Sequence, residues 1–205
     1  AQMTEYELSI DDYEENKHFF LSQYFYENYD NALSDLPIIN SPINITKIEV
    51  YVTNKNSSTT NTRNILAFQD LGELNPVNPL VSSQNNTGVP SNINNSLDPN
   101  GSFINDVASF TSDSIRLIDQ ITSAFSVYSP NGINFFNQSI DYEKIENARR
   151  LSSSEYTLNP QLGFISLNQA LNSDEILAVA FEFTYMGVPY QVGEFSTDVT
   201  SPNTI

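Results

Sequence analysis

One segment of the chain alternates so regularly between bulky and small side chains that it predicts a β-strand. The bulky residues occupy every second position: Leu177, Val179, Phe181, Phe183 and Tyr185. This is the two-residue period of a strand with one buried face. Turn-forming residues lie on both sides, at 172–174 and 186–189, and residues 163–167 predict a shorter strand. The whole segment 147–198 is therefore predicted to be a β-meander, and its few reactive groups favour scaffolding or binding over catalysis.

Two further strands are predicted upstream. Residues 45–53 alternate, with Ile48, Val50 and Val52 on one side. A polar turn separates them from a second predicted strand at 63–71, so the two are expected to form a hairpin.

Helical spacing of apolar residues predicts the remaining elements. Residues 15–34 and a segment from 112 or 113 to 127 each repeat apolar side chains at intervals of three or four. A helical turn is also expected at 141–151. The predicted fold class is α+β: an antiparallel β-sheet or sandwich with two or three helices packed on it.

The chain is expected to be a single soluble domain. Residues 1–205 begin without an initiator methionine and end at Ile205 without a closing element, which indicates a piece cut from a much longer chain. Residues 73–106 are rich in Asn, Pro and Ser and predict a long loop within the domain.

Composition excludes several classes of function. The 25 acidic and 8 basic residues give a net charge of −17, which repels nucleic acid and anionic membranes. The absence of cysteine excludes disulfides and thiolate–metal sites.

No segment predicts a catalytic site. His18 is the single histidine, so it cannot build a conventional zinc site, and any serine nucleophile would need it as the base. Packing on an aromatic helix is the simpler interpretation. The acidic cluster at 11–15 could supply a glycosidase carboxylate pair, but an acidic helix start explains it more simply. We therefore expect no enzyme activity.

Calcium is the one cofactor with any support in the sequence. Asp98, Asn100 and Asp106 place oxygen ligands around a glycine turn, but further acidic positions of a calcium loop are missing. A Pro-Asn-Gly turn that caps the next segment is the favoured interpretation, and no cofactor is predicted.

Four residues are candidates for partner contact. Arg149 and Arg150 are an adjacent basic pair in an acidic chain, which could neutralise nearby glutamates (Glu143, Glu146 or Glu155) or dock an acidic partner loop. Tyr185 and Tyr190 belong to a set of tyrosines suited to an interface, because tyrosine combines apolar area with a polar tip.

Four separated blocks of the sequence resemble the SprA-like family, the giant cell-surface proteins of gliding motility and type IX secretion in Bacteroidetes-type bacteria. The blocks are DYEENKHFFLSQYF (12–25), SPINITKIEVYVTNKN (41–56), NILAFQDLGE (64–73) and the long segment 147–198, and together they cover about half of the chain. The resemblance implies that the parent protein is an outer-membrane translocon of the bacterial cell envelope. The present chain would be a soluble insert on its extracellular or periplasmic face.

Two functions follow from these observations. The first is a non-enzymatic structural and interaction domain of an outer-membrane translocon needed for type IX secretion and gliding motility. Its implied partners are the rest of the translocon chain, other outer-membrane or periplasmic secretion components and secreted protein cargo. The alternative is a cell-surface ligand-binding module, calcium-dependent or carbohydrate-binding, that uses the 73–106 loop and the tyrosines.

Overall fold

The computed structural model describes residues 9, 13–55, 60–69, 114–127, 138–140 and 142–205. In chain order its elements are β1 (His18–Phe20), α1 (Gln23–Ala32), β2 (Ile43–Val52), β3 (Thr62–Phe68), a 3-10 helix (Ser114–Arg116), α2 (Ile121–Val127), β4 (Tyr142–Arg150), β5 (Tyr156–Asn159), β6 (Phe164–Leu167), β7 (Leu177–Tyr185) and β8 (Val188–Val192). The predicted loop at 73–106 lies outside the described residues.

The strands form two antiparallel sheets. The larger has five strands in the order β3-β4-β2-β7-β8, and the smaller has three in the order β1-β6-β5. With two α-helices among the described residues, the fold is a β-rich α+β structure, as predicted.

The predicted strand β7 is confirmed. Phe181 and Phe183 are buried, and the other bulky residues of the strand, Leu177, Val179 and Tyr185, are half-buried and pack on the same core. The 147–198 meander is split, however: β5 and β6 belong to the smaller sheet, whereas β7 and β8 belong to the larger.

The main core lies where the two sheets and α1 meet. It combines Phe25 of α1, Val50 of β2, Ile165 of β6 and Phe181 of β7. A register shift between Ile45 and Lys47 adds one residue to β2. This bulge keeps apolar side chains on the core face along the whole strand.

The predicted 45–71 hairpin is wrong. β4 lies between β2 and β3, pairing Val52 with Arg149 on one side and Thr62 with the same residue on the other. Two half-buried strands with a polar turn between them look like a hairpin in sequence. Here a third strand, far away in the chain, inserts between them.

The helical turn predicted at 141–151 is also wrong, because these residues form β4. Their buried side chains, Tyr142, Ile145 and Ala148, are three residues apart and mimic a helical period. Only the second of these spacings departs from a regular strand: between Ile145 and Ala148 the register against β3 shifts and Asn147 has a φ of 50°, so that both side chains enter the same buried cluster. The amide oxygen Oδ1 of Asn64 accepts the Asn147 N–H at 3.0 Å.

The helices are shorter than predicted. The helix expected at 15–34 covers only residues 23–32, because residues 18–20 pair with β6 as strand β1. In place of the helix expected to end at 127, the structure has two separate helices, the 3-10 helix and α2. Residues 112–113 lie outside the described part of the chain.

Candidate functional site

A buried glutamate on β2 is the centre of a hydrogen-bond network in the larger sheet. Glu49 is 2% exposed, and its carboxylate lies 3.0 Å from Nη2 of Arg150. Tyr51 donates its hydroxyl to Glu49 at 3.0 Å, and Ser196 donates its N–H at 2.8 Å and its hydroxyl at 2.9 Å. The four groups therefore satisfy a carboxylate that would otherwise be costly to bury.

The same network changes the acidity of Tyr51. Burial, followed by the charge of Glu49 and the hydrogen bond to it, raises the pKa of the Tyr51 hydroxyl to about 12. Tyr51 therefore remains a neutral hydrogen-bond donor at neutral pH.

Arg149 and Arg150 lie beside a polar pocket of about 550 Å³ at the end of β4, which we call the arginine pocket. Its lining includes Thr60, Asn61, Arg149, Arg150, Glu155 and Tyr156. Its lining comes mainly from the end of β4, from the turn between β4 and β5, and from the residues directly before β3. The structure thus places the predicted basic pair at a concave surface.

Of the three glutamates expected to neutralise this pair, Glu155 is the one in contact. Its Oε1 accepts Nη1 of Arg149 at 2.8 Å, and its Oε2 accepts the N–H of Ser152 at 2.9 Å. Burial raises the pKa of Glu155, but the Ser152 and Arg149 contacts outweigh it, so that the pKa lies below its usual value. Arg150 pairs instead with Glu49, a partner that sequence reasoning did not identify.

Arg149 and Arg150 keep donors for a ligand. A guanidinium carries five N–H donors. Among the described residues, Arg149 gives one of them to Glu155, and Arg150 uses two nitrogens, toward Glu49 and Ser196. The side chains are 30% and 41% exposed. The pocket can therefore hydrogen-bond a carboxylate without first breaking its internal pairs.

Tyr185 and Tyr190 are not part of the arginine pocket. On β2, Val52 pairs with Arg149 whereas Ile43 pairs with Tyr185, which separates the two groups by about 30 Å along the strand. Tyr190 stacks on Phe183 with 5.4 Å between ring centroids. Both tyrosines thus contribute to packing at the opposite end of the sheet.

His18 makes contacts that sequence reasoning did not anticipate. Its Nδ1 lies 2.8 Å from the hydroxyl of Ser166, and its Nε2 lies 2.9 Å from Glu14 Oε2. A serine, a histidine and a carboxylate in this order resemble a hydrolase triad.

The surroundings of Ser166 do not favour that chemistry. β6 is the central strand of its sheet and is paired on both sides, and the N–H of Leu167 donates to the Lys17 carbonyl at 2.8 Å. An oxyanion hole needs free N–H donors beside the nucleophile. His18 and Ser166 are direct cross-strand partners on an exposed sheet face, so the contact is explained as a strand-pairing interaction.

The other candidates give no further site. Asp98, Asn100 and Asp106 lie outside the described residues, as do Asp11 and Asp12. In the described part of the chain, no group of three or more His, Cys, Asp or Glu side chains could hold a metal ion. None of the helices described there is long and apolar enough to span a membrane.

The chain matches no protein-family model, and no curated protein matches it significantly.

Proposed function

We propose that this chain is a non-enzymatic structural and interaction domain of an outer-membrane protein-secretion translocon, as its resemblance to the SprA-like family implies. In this proposal the arginine pocket docks an acidic segment of a partner protein. The observation that carries the docking role is the placement of Arg149 and Arg150 at a concave surface of a chain with net charge −17.

The buried carboxylate of Glu49 supports this role because it holds Arg150 in place. A guanidinium that is fixed before binding loses little conformational freedom when a ligand arrives. Ser196 adds a second contact at 3.3 Å to Nη1 of Arg150. The site is therefore preorganised on one side and open on the other.

Net charge does not drive binding in this proposal. Arg149 and Arg150 are balanced locally by Glu155 and Glu49. Affinity would come from the remaining N–H donors, which match the two oxygens of a carboxylate. An aspartate or glutamate side chain of the partner, or a chain-terminal carboxylate, has this chemistry.

The partners proposed are the rest of the translocon chain, other outer-membrane or periplasmic secretion components and secreted cargo, and the location proposed is the bacterial outer membrane. A sandwich of the two sheets, with α1 beside them, is part of the proposal. Its support is a buried cluster to which both sheets contribute. No catalytic step is assigned to His18 or Ser166.

Affinity capture from bacterial envelopes with crosslink mapping tests the proposal. We expect crosslinks between residues near the arginine pocket and acidic peptides of a secretion component, and we expect Arg149→Ser to remove them. Lys144→Ser is the matched control, since it makes the same charge change on β4 outside the pocket lining. Crosslinks that persist in Arg149→Ser, or that join the pocket to peptides without acidic residues, would contradict the docking role.

A further inference from the structure

A second, smaller pocket lies between the helix α1 and two neighbouring turns. It has a volume of about 130 Å³, and its lining includes Tyr24, Asn28, Tyr29, Asn31, Asn40 and Gln161. Phe25 and Leu162, both buried, form its apolar base. We call it the amide pocket, because side-chain amides from α1, from the turn after it and from the turn before β6 converge there.

The chemistry of this lining is uncharged. Within the described part of the chain, none of the side chains that line the pocket carries a charge. A charged ligand would find no counter-charge here, so the pocket suits a neutral one.

Several of the amides have hydrogen-bonding capacity left over. The side chains of Asn31, Asn40 and Gln161 make no hydrogen bond to any other residue that the structure describes. Asn28 donates its Nδ2 to the Tyr24 carbonyl at 2.9 Å and keeps its Oδ1. An amide offers a donor and an acceptor side by side, which matches the paired hydroxyl groups of a sugar ring.

An exposed aromatic surface continues from the pocket. Tyr29 lines the pocket and also contacts Phe20, with 5.4 Å between ring centroids. Phe20 contacts Tyr26 at 5.7 Å and Phe164 at 6.2 Å, all edge to face. Phe20 is 39% exposed and Tyr26 is 62% exposed. We call these four rings the aromatic patch.

We propose that the amide pocket and the aromatic patch together bind a neutral oligosaccharide. The pocket of about 130 Å³ is close in size to a cavity of roughly 150 Å³ that holds a benzene molecule, and it is partly open to solvent, so it can take one face of a sugar ring while the remaining hydroxyl groups stay in water. The next ring of the glycan would lie on the aromatic patch, where the C–H face of a sugar meets apolar ring surface. Tyr29 joins the two subsites.

This inference does not depend on the proposed secretion role. Among the described residues, the amide pocket shares no lining residue with the arginine pocket. It places the alternative function, that of a carbohydrate-binding surface module, on α1 rather than on the 73–106 loop.

The test is a titration of the chain with cellohexaose, maltohexaose and chitohexaose, followed by amide NMR and calorimetry. We expect at least one of them to bind with a Kd below roughly 1 mM and to shift amide signals of 23–32, 40–42 and 159–164. A polygalacturonate hexamer, which is anionic, should bind more weakly than the best neutral sugar. The absence of binding by all three neutral sugars at roughly 10 mM would overturn the proposal, as would signals shifted only elsewhere.

Variants identify the groups responsible. Asn31→Ala combined with Gln161→Ala removes two amides that make no hydrogen bond to other described residues, so folding should be retained while the Kd rises about tenfold or more. Tyr26→Ala should weaken binding of the hexasaccharide but not binding of the matching monosaccharide.

Asn203→Ala is the control. It removes an exposed amide outside the pocket and should leave the Kd unchanged. Wild-type affinity in the double variant would contradict the assignment, whereas unchanged sugar binding in Arg149→Ser would separate this site from the arginine pocket.

Discussion

Glu49 and Arg150 form an ion pair in which one partner is buried and the other reaches solvent. Their side chains are 2% and 41% exposed, with 3.0 Å between Nη2 and Oε1. A buried carboxylate is tolerated only when its remaining oxygen lone pairs are also satisfied. Ser196 and Tyr51 provide these contacts, so the pair links β2 and β4 to the turn that follows β8.

Glu49→Gln should destabilise the chain. The amide keeps the shape of the carboxylate, but its NH₂ group cannot accept a hydrogen bond from Ser196 and leaves Arg150 without its counter-charge. We expect the free energy of unfolding to fall by about 2–3 kcal/mol, measured by urea denaturation. Glu146→Gln is the control, because Glu146 is exposed on β4 and should change stability by less than about 0.5 kcal/mol. Equal effects of the two variants would show that the Glu49 network contributes nothing.

Gly163 should tolerate no side chain. Its φ is 65°, and a Cβ there would lie 2.1 Å from the ring of Phe25. Gly163→Ala is therefore expected to combine the strain of a positive φ with a clash in the core and to cost roughly 3 kcal/mol or more.

Gly187 provides the matched control. Its φ is 81°, but a Cβ there would meet nothing within 4 Å. Gly187→Ala should cost only the backbone strain, about 1–2 kcal/mol. The difference between the two variants in chemical denaturation measures the contact with Phe25, and identical losses would contradict the close packing of α1 on the turn before β6.

The sequence predicts the elements whose burial follows a simple period. β7 and the second half of β2 place bulky apolar residues at every second position of the sequence, and both strands are found where expected, although Glu49 and Tyr51 on the other side of β2 are buried as well. β4 is missed because its buried residues lie three apart, and the register shift beside Asn147 accounts for one of the two intervals. β1 is missed because it is three residues long and adjoins a helix of the same aromatic composition.

Only the arginines of the candidate site can be predicted from the sequence, and strand pairing is again the reason. Arg149 and Arg150 stand out in an acidic chain, but nothing in the sequence places Glu49 beside them. That contact depends on β4 pairing with β2 rather than with β3 alone, which is a property of strand order. A carboxylate between Ile48 and Val50 was the one available signal, since charge within an apolar strand requires a partner.

Acid should weaken the turn beside the arginine pocket through Glu155. Its folded-state pKa is lowered, so it contributes stability that is present above its ordinary pKa of 4.5 and is lost as pH falls through the folded value. Thermal melting between pH 6 and pH 3 should therefore show a smaller decrease in Tm for Glu155→Gln than for the wild type. A Glu155→Gln curve parallel to wild type would contradict the stabilising role of the Arg149 and Ser152 contacts.

Alkali should weaken the fold through Tyr51, the neighbour of Glu49. The pKa of its hydroxyl is about 12 in the folded chain and near 10 when unfolded, so the unfolded state loses its proton first. The stability that the neutral hydroxyl contributes is then complete below pH 10 and is lost as pH rises toward 12, by about 2–3 kcal/mol. Tyr51→Phe lacks this ionisation, and its stability should fall less steeply across that window in urea denaturation at fixed pH values.

Tyr156→Phe is the comparison. Burial is the main cause that raises the pKa of the Tyr156 hydroxyl as well, but Tyr156 is only half-buried and makes no hydrogen bond to Glu49 among the described contacts. It should reduce the slope less than Tyr51→Phe does, and a larger effect at Tyr156 would contradict the coupling between Tyr51 and Glu49.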